Sequence, residues 1–125
     1  MTWTVNNNLR DAVAGSQSVD AALTGGDIQF RNAADGLLVT CPITSVNTVN
    51  NVLTVSFTAT VIGAGIVNQT ADDAIIRNSG GSELLHTDSV GITTEDITFD
   101  QVTNWNTGDT VAPGNATITF TLSAV

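Results

Sequence analysis

The sequence predicts an all-β fold, a single antiparallel β-sandwich or jelly-roll-like domain with a short N-terminal helix. Three observations point there. The apolar residues, 42% of the chain, are mostly Val, Ile, Leu and Ala, with only 5% aromatics, so the core must be built from branched aliphatic side chains that pack well on pleated surfaces. From Asp27 onward several segments alternate apolar and polar residues, the period of a half-buried strand. Seven or eight such segments recur about every ten residues between turns rich in Gly, Asn and Asp, the spacing of a sandwich or jelly roll. At 125 residues the chain fits one domain, residues 1–125, that buries roughly two-thirds of its unfolded surface. No second domain and no repeat is visible.

Taken in order, residues 1–8 read as an arm or edge strand anchored by Trp3, free to add to a neighbour's sheet and to order only on assembly. An Asn in the run 6–8 offers an N-cap to a helix ending near Ala14 and Gly15, with Leu9, Ala12 and Val13 on one face. Ser18 caps a second helical turn that reaches Leu23 and closes at Gly25-Gly26. Residues 28–31 and 37–41 form a first hairpin. Residues 52–62 give the clearest strand, with Leu53, Val55, Phe57, Ala59 and Val61 inward and hydroxyls outward. Residues 74–77 and 83–86 flank Asn78-Ser79-Gly80-Gly81, residues that take positive φ cheaply, so they read as a hairpin with apolar residues on both faces. Residues 97–100 alternate briefly, 104–109 carry turn chemistry, and 116–122 close the chain with Ala116, Ile118, Phe120 and Leu122 inward.

The chain contains no Lys, three Arg and twelve acidic residues, a formal charge of −9. Nucleic-acid binding is excluded, since phosphate recognition needs a basic face, and an anionic membrane would repel the protein. No stretch approaches the twenty apolar residues of a membrane span, and the N-terminus does not read as a signal peptide, which makes the acceptor patterns at Asn68 and Asn115 chance matches. One cysteine, Cys41, precludes an intramolecular disulfide and reads as a small core residue.

No catalytic constellation is present. His86 is the only histidine, no Gly-x-Ser-x-Gly elbow accompanies it, and it reads as hydrogen-bonded structure beside Thr87 and Asp88. The acids Asp72, Asp73, Asp88, Glu95, Asp96, Asp100 and Asp109 do not match a calcium loop, and turns recruit Asp for their own backbone, so no metal and no cofactor is assigned. Trp105, between Asn104 and Asn106, reads either as an exposed aromatic or as a ring capping the core. With Trp3 and Val5 it completes the residues expected to meet a partner.

The order of short motifs resembles a family of small virion proteins of tailed bacteriophages. Leu9-Arg10-Asp11-Ala12 followed by Leu23-Thr24-Gly25-Gly26-Asp27-Ile28-Gln29-Phe30-Arg31 is similar to that family's "LRDA…LNGG-x-I-x-I-R" opening. Ile75-Ile76-Arg77-Asn78-Ser79-Gly80-Gly81, Asp88-Ser89-Val90-Gly91, Gly108-Asp109-Thr110-Val111 and Thr117-Ile118-Thr119-Phe120 resemble its ending. The chain departs from the pattern at Ile75, where an aromatic is common, and in the Asn-rich segment 46–51. The resemblance implies a non-enzymatic capsid decoration or cement protein, made in the host cytoplasm and carried on the virion surface. Its partner would be the phage major capsid protein, and a homotrimer or other symmetric homo-oligomer is expected. The alternative is a carbohydrate-binding or adhesin module that meets a host-surface glycan through Trp105 and the acids around Asp72 and Asp96.

Overall fold

The computed structural model describes residues 3–100 and 104–119. The chain begins with β1 (Thr4–Val5), α1 (Asn7–Ala14) and α2 (Val19–Leu23). The Asn6 side chain accepts a hydrogen bond from the Asn8 N–H at 2.9 Å, and Ser18 Oγ accepts from the Ala21 N–H at 3.0 Å, so each helix starts where its cap residue stands. Leu9 is buried as expected. Val13, one turn later, is exposed, because α1 is fastened to the sheet through its first turn, where the Asn8 side chain donates to the Glu83 carbonyl.

The expected arm is part of the fold. Thr4 and Val5 stand opposite His86 and Leu85, the Asn6 N–H donates to the Leu84 carbonyl at 2.8 Å, and Trp3 lies in the core. Backbone bonds to a neighbouring strand and burial of an indole hold residues 3–8 within the single chain; residues 1–2 lie outside the described residues.

The remaining strands are β2 (Asp27–Arg31), β3 (Leu37–Val49), β4 (Val52–Phe57), β5 (Thr60–Val61), β6 (Asp73–Arg77), β7 (Glu83–Thr87), β8 (Val90–Gly91), β9 (Ile97–Thr98), β10 (Thr110–Val111) and β11 (Ala116–Thr119). Seven form one antiparallel sheet in the order β1-β7-β6-β2-β3-β4-β11. The fold is all-β with two short helices, and its sandwich-like packing comes from the curl of this sheet.

The curl is made by β3. Up to Pro42 it pairs with β2, and from Ile43 onward it pairs with β4, with a register shift between Ile43 and Ser45. Pro42 has no N–H to donate, and its carbonyl accepts from the Thr58 N–H at 2.8 Å. A strand expected to stop at Cys41 therefore runs on past the proline and links the two halves of the sheet. Between them lies a core in which Phe30, Phe99 and Trp105 meet edge to face, with ring centroids 4.8–5.5 Å apart.

The single strand expected over 52–62 is interrupted after Phe57. Beyond the break β5 pairs with β10, which turns Val61 out and Ile62 in. The alternation in the letters continues while the backbone leaves the sheet. β8 and β9 form a parallel pair, the one departure from antiparallel pairing among the described strands. In β11 the expected inward residues Ala116 and Ile118 are buried; Phe120 and Leu122 fall outside the described residues. Among the described residues no helix is long and apolar enough to cross a membrane.

The hairpin of β6 and β7 forms as expected, with Ile75, Ile76, Leu84 and Leu85 all buried. Its turn is organised by Asn78, whose side-chain oxygen accepts from the Gly80 and Ser82 N–H groups at 3.0 and 2.9 Å, and Gly81 takes φ +86°. The pairing is not a simple continuation of that turn. A bulge between Ile76 and Arg77 shifts the register, so that Ile75 stands opposite His86 and Ala74 opposite Thr87.

Candidate functional site

Two of the three residues expected to meet a partner point inward. Trp105 is fully buried, packed edge-on against Phe30 and Phe99, and Trp3 belongs to the same core. Trp105 reaches the interior because its backbone bridges to Gln69, N–H to carbonyl in both directions, which draws the Asn104–Asn106 turn onto the core. Of the two readings of Trp105, the ring that closes the core holds. Val5 is half-buried opposite Leu85.

Two of the exposed large apolar side chains, Leu37 and Val61, line a shallow open groove of ≈ 360 Å³. One wall is residues 37–40 of β3, and the other is Thr60, Val61, Gly63, Ala64 and Ile66. Its position follows from the two sheet departures described above. Along 37–41 β3 has β2 on one side, and on the other side pairing with β4 starts only at Ile43, so a sheet edge faces the groove among the described residues. Leu37 is 50% exposed and Val61 60% exposed, so one apolar side chain stands in water on each wall. Neither position was marked by the sequence: Leu37 follows a glycine at a strand start, and Val61 carries an inward phase that the break after Phe57 reverses.

The loop acids do not assemble into a calcium loop. Asp109 serves its own turn, accepting from the Asn106 N–H, while Asp100 and Asp96 tie one segment to another, accepting from the Ala112 N–H and from the Thr87 hydroxyl at 2.6 Å. Glu95 accepts from the N–H groups of Thr93 and Thr94 and from the Thr93 hydroxyl, which holds its carboxyl below the ordinary 4.5. A folded pKa below the unfolded one means the bonds are present above the ordinary range and are lost as pH falls through the lower folded value. The amide resonances of Thr93 and Thr94 are therefore expected to titrate together with a midpoint below pH 4.5, and to stop titrating in Glu95→Gln.

Three groups are brought together that the sequence does not mark as a set. His86 Nε2 lies 3.0 Å from Asp73 Oδ2 and 3.3 Å from Asp88 Oδ1. Their candidate ligand atoms all lie within 4.8 Å of one another. The bulge in the hairpin is the cause, because a one-residue shift of register moves a side chain to the opposite face of a sheet. The Asp73 side chain is 10% exposed and that of Asp88 67%. Burial pushes the Asp73 carboxyl up, opposed by His86 and by Arg31, which stands opposite it in β2, while Asp35 adds to the rise. Both acids meet the same ring nitrogen. A hydrolase relay needs instead one nitrogen on the acid and the other on a nucleophile.

Elsewhere on the same strands Arg77 donates from Nε and Nη2 to the two oxygens of Asp27, both at 2.8 Å, and Arg31 donates to Gln29, which donates to Thr40. These bonds tie β2 to β3 and β6. Cys41 is buried, which pushes its thiol pKa up and leaves it a core residue, as expected.

No protein family, curated protein or solved structure matches this chain.

Proposed function

We propose that this protein is a non-enzymatic structural component of a tailed-bacteriophage virion, a decoration or cement protein that binds the major capsid protein on the mature head. The motif order supports the virion setting. The single observation that carries the binding role is the groove between β3 and β5, where a sheet edge unpaired among the described residues runs beside exposed Leu37 and Val61. An edge of this kind accepts an extended peptide by strand addition: main-chain bonds supply affinity, and the flanking apolar side chains supply the pockets. The occupant in this proposal is an extended segment of the capsid subunit. The net charge of −9 disfavours a strongly acidic segment and favours a neutral or basic one. A lattice presents this segment hundreds of times, so a modest interface per copy yields a large total stabilisation. Association into a homotrimer or another symmetric oligomer belongs to the same proposal and is read by sedimentation velocity. The carbohydrate reading has lost its aromatic platform, since Trp105 is inside.

The test is co-sedimentation of the purified protein with mature heads that lack it, counting bound copies at saturation, and again with unexpanded precursor heads. Saturation at hundreds of copies on mature heads alone supports the proposal. A few copies, or none, rejects it. The double substitution Leu37→Glu and Val61→Glu is expected to weaken head binding at least about tenfold. Because both side chains are already half in water, stability should change by no more than about 0.5 kcal/mol per site. Unchanged binding by a folded double variant would remove the groove from the interface.

A further inference from the structure

We propose that Asp73, His86 and Asp88 form a binding site for a divalent transition-metal ion, with Zn²⁺ as its natural probe. The site is independent of the groove and of any capsid partner. It rests on three observations.

The first is convergence. Two carboxylate oxygens, from β6 and from the turn after β7, approach one imidazole nitrogen at 3.0 and 3.3 Å. A single N–H directs its hydrogen along one line and serves one acceptor well, so a hydrogen bond accounts for one of these approaches. A cation lying among the three atoms accounts for both.

The second is spacing. With ligand bonds of roughly 2.0–2.1 Å, the corners of a tetrahedron around zinc stand about 3.3 Å apart. Two of the three separations are already near that edge, and the third is within 4.8 Å, a distance that a rotation of the exposed Asp88 side chain can shorten. Asp88 is the mobile ligand, while Asp73 and His86 are set by the sheet.

The third is an unpartnered atom. Asp73 has one oxygen on His86, while its other oxygen, Oδ1, is buried and has no hydrogen-bond partner among the described residues, although the carboxylate is nine-tenths buried. A buried carboxylate oxygen without a donor costs on the order of 1–3 kcal/mol or more. A metal drawing on this carboxylate neutralises the charge that the strand buries. Arg31 and Asp35 are the other charged groups that act on Asp73, and they oppose each other.

The donor set fixes the class of ion. One imidazole and two carboxylates suit zinc and its neighbours among the divalent transition metals, whereas calcium and magnesium take oxygen ligands at higher coordination number. Three protein ligands leave one tetrahedral position for water. Tying β6 to the turn beyond β7 would brace the edge of the sheet on which β1 lies.

The experiment is titration calorimetry with Zn²⁺ on tag-free, chelator-treated protein, with Ca²⁺ in parallel and Co²⁺ absorption as a read-out of geometry. One Zn²⁺ per chain, tetrahedral Co²⁺ bands and a raised melting temperature are expected. His86→Asn and Asp88→Asn should each weaken Zn²⁺ at least ~10-fold. Asp88 is largely exposed, so Asp88→Asn is expected to fold as the parent does and keeps the test decisive if His86→Asn unfolds. Absence of Zn²⁺ binding, Ca²⁺ binding in its place, or Zn²⁺ affinity unchanged in Asp88→Asn would each overturn the site.

Discussion

Trp105→Ala is expected to cost about 3–5 kcal/mol, the range for removing a large buried aromatic. Trp105 is fully buried and holds edge-to-face contacts with Phe30 and Phe99, and such contacts add about 0.5–1.5 kcal/mol each beyond burial. Folded domains have roughly 5–15 kcal/mol in total, so the loss is a large fraction of the stability. Thermal unfolding should show a fall of at least about 10 °C, and Trp105→Phe should recover part of it. A melting temperature within about two degrees of the parent would mean that Trp105 is a surface residue, and the carbohydrate reading would return.

Gly26→Ala is expected to be comparably damaging for a different reason. A Cβ at this position would lie 1.9 Å from the Arg77 carbonyl oxygen, 3.0 Å from its carbon and 3.1 Å from the Leu23 carbonyl oxygen. These are backbone atoms, and Arg77 is fixed by the register of β6 on β2 and by its ion pair with Asp27. No side chain can rotate away, so α2 must separate from the hairpin. Overpacking costs about 1–3 kcal/mol when neighbours yield, and here the upper end or more is expected. Gly63→Ala is the control: nothing among the described residues lies within 4 Å of the added methyl, and reduced unfolded-state entropy should leave stability unchanged or raised by up to about 1 kcal/mol. Equal denaturation midpoints for the two variants would contradict the close approach at Gly26.

What the letters reveal of this fold is what depends on near neighbours. The caps at Asn6 and Ser18, the turn at Asn78 and the alternation in β4 and β11 each rest on residues within a few positions of one another, and each stands where expected. What the letters conceal depends on distant partners. Pro42 suggests a strand end, yet its carbonyl is taken up by the Thr58 N–H just beyond β4, and the strand runs on. The hydroxyl alternation through residue 61 suggests a continuous strand, yet pairing with Thr110 and Val111 draws β5 away. Asn104 and Asn106 suggest an exposed turn, yet the bridge to Gln69 carries Trp105 inward. The cluster of Asp73, His86 and Asp88 was concealed by a single residue. Without the bulge, pairing outward from Arg77 and Glu83 would set Asp73 opposite Thr87 and place His86 on the far face.

The order of the sheet bears on how the molecule is made. β1 and β11, the first and last strands described, occupy its two outer edges, and β1 pairs with a strand some eighty residues downstream. Contacts of that sequence separation make folding slow, in the range of milliseconds to seconds, because large loops must close before any pairing rewards them. During synthesis β4 emerges well before β11 and presents an unpaired edge until β11 leaves the ribosome. Truncation just before residue 116 should therefore raise the tendency to aggregate above that of the 125-residue chain, an effect that the negative charge of the growing chain opposes.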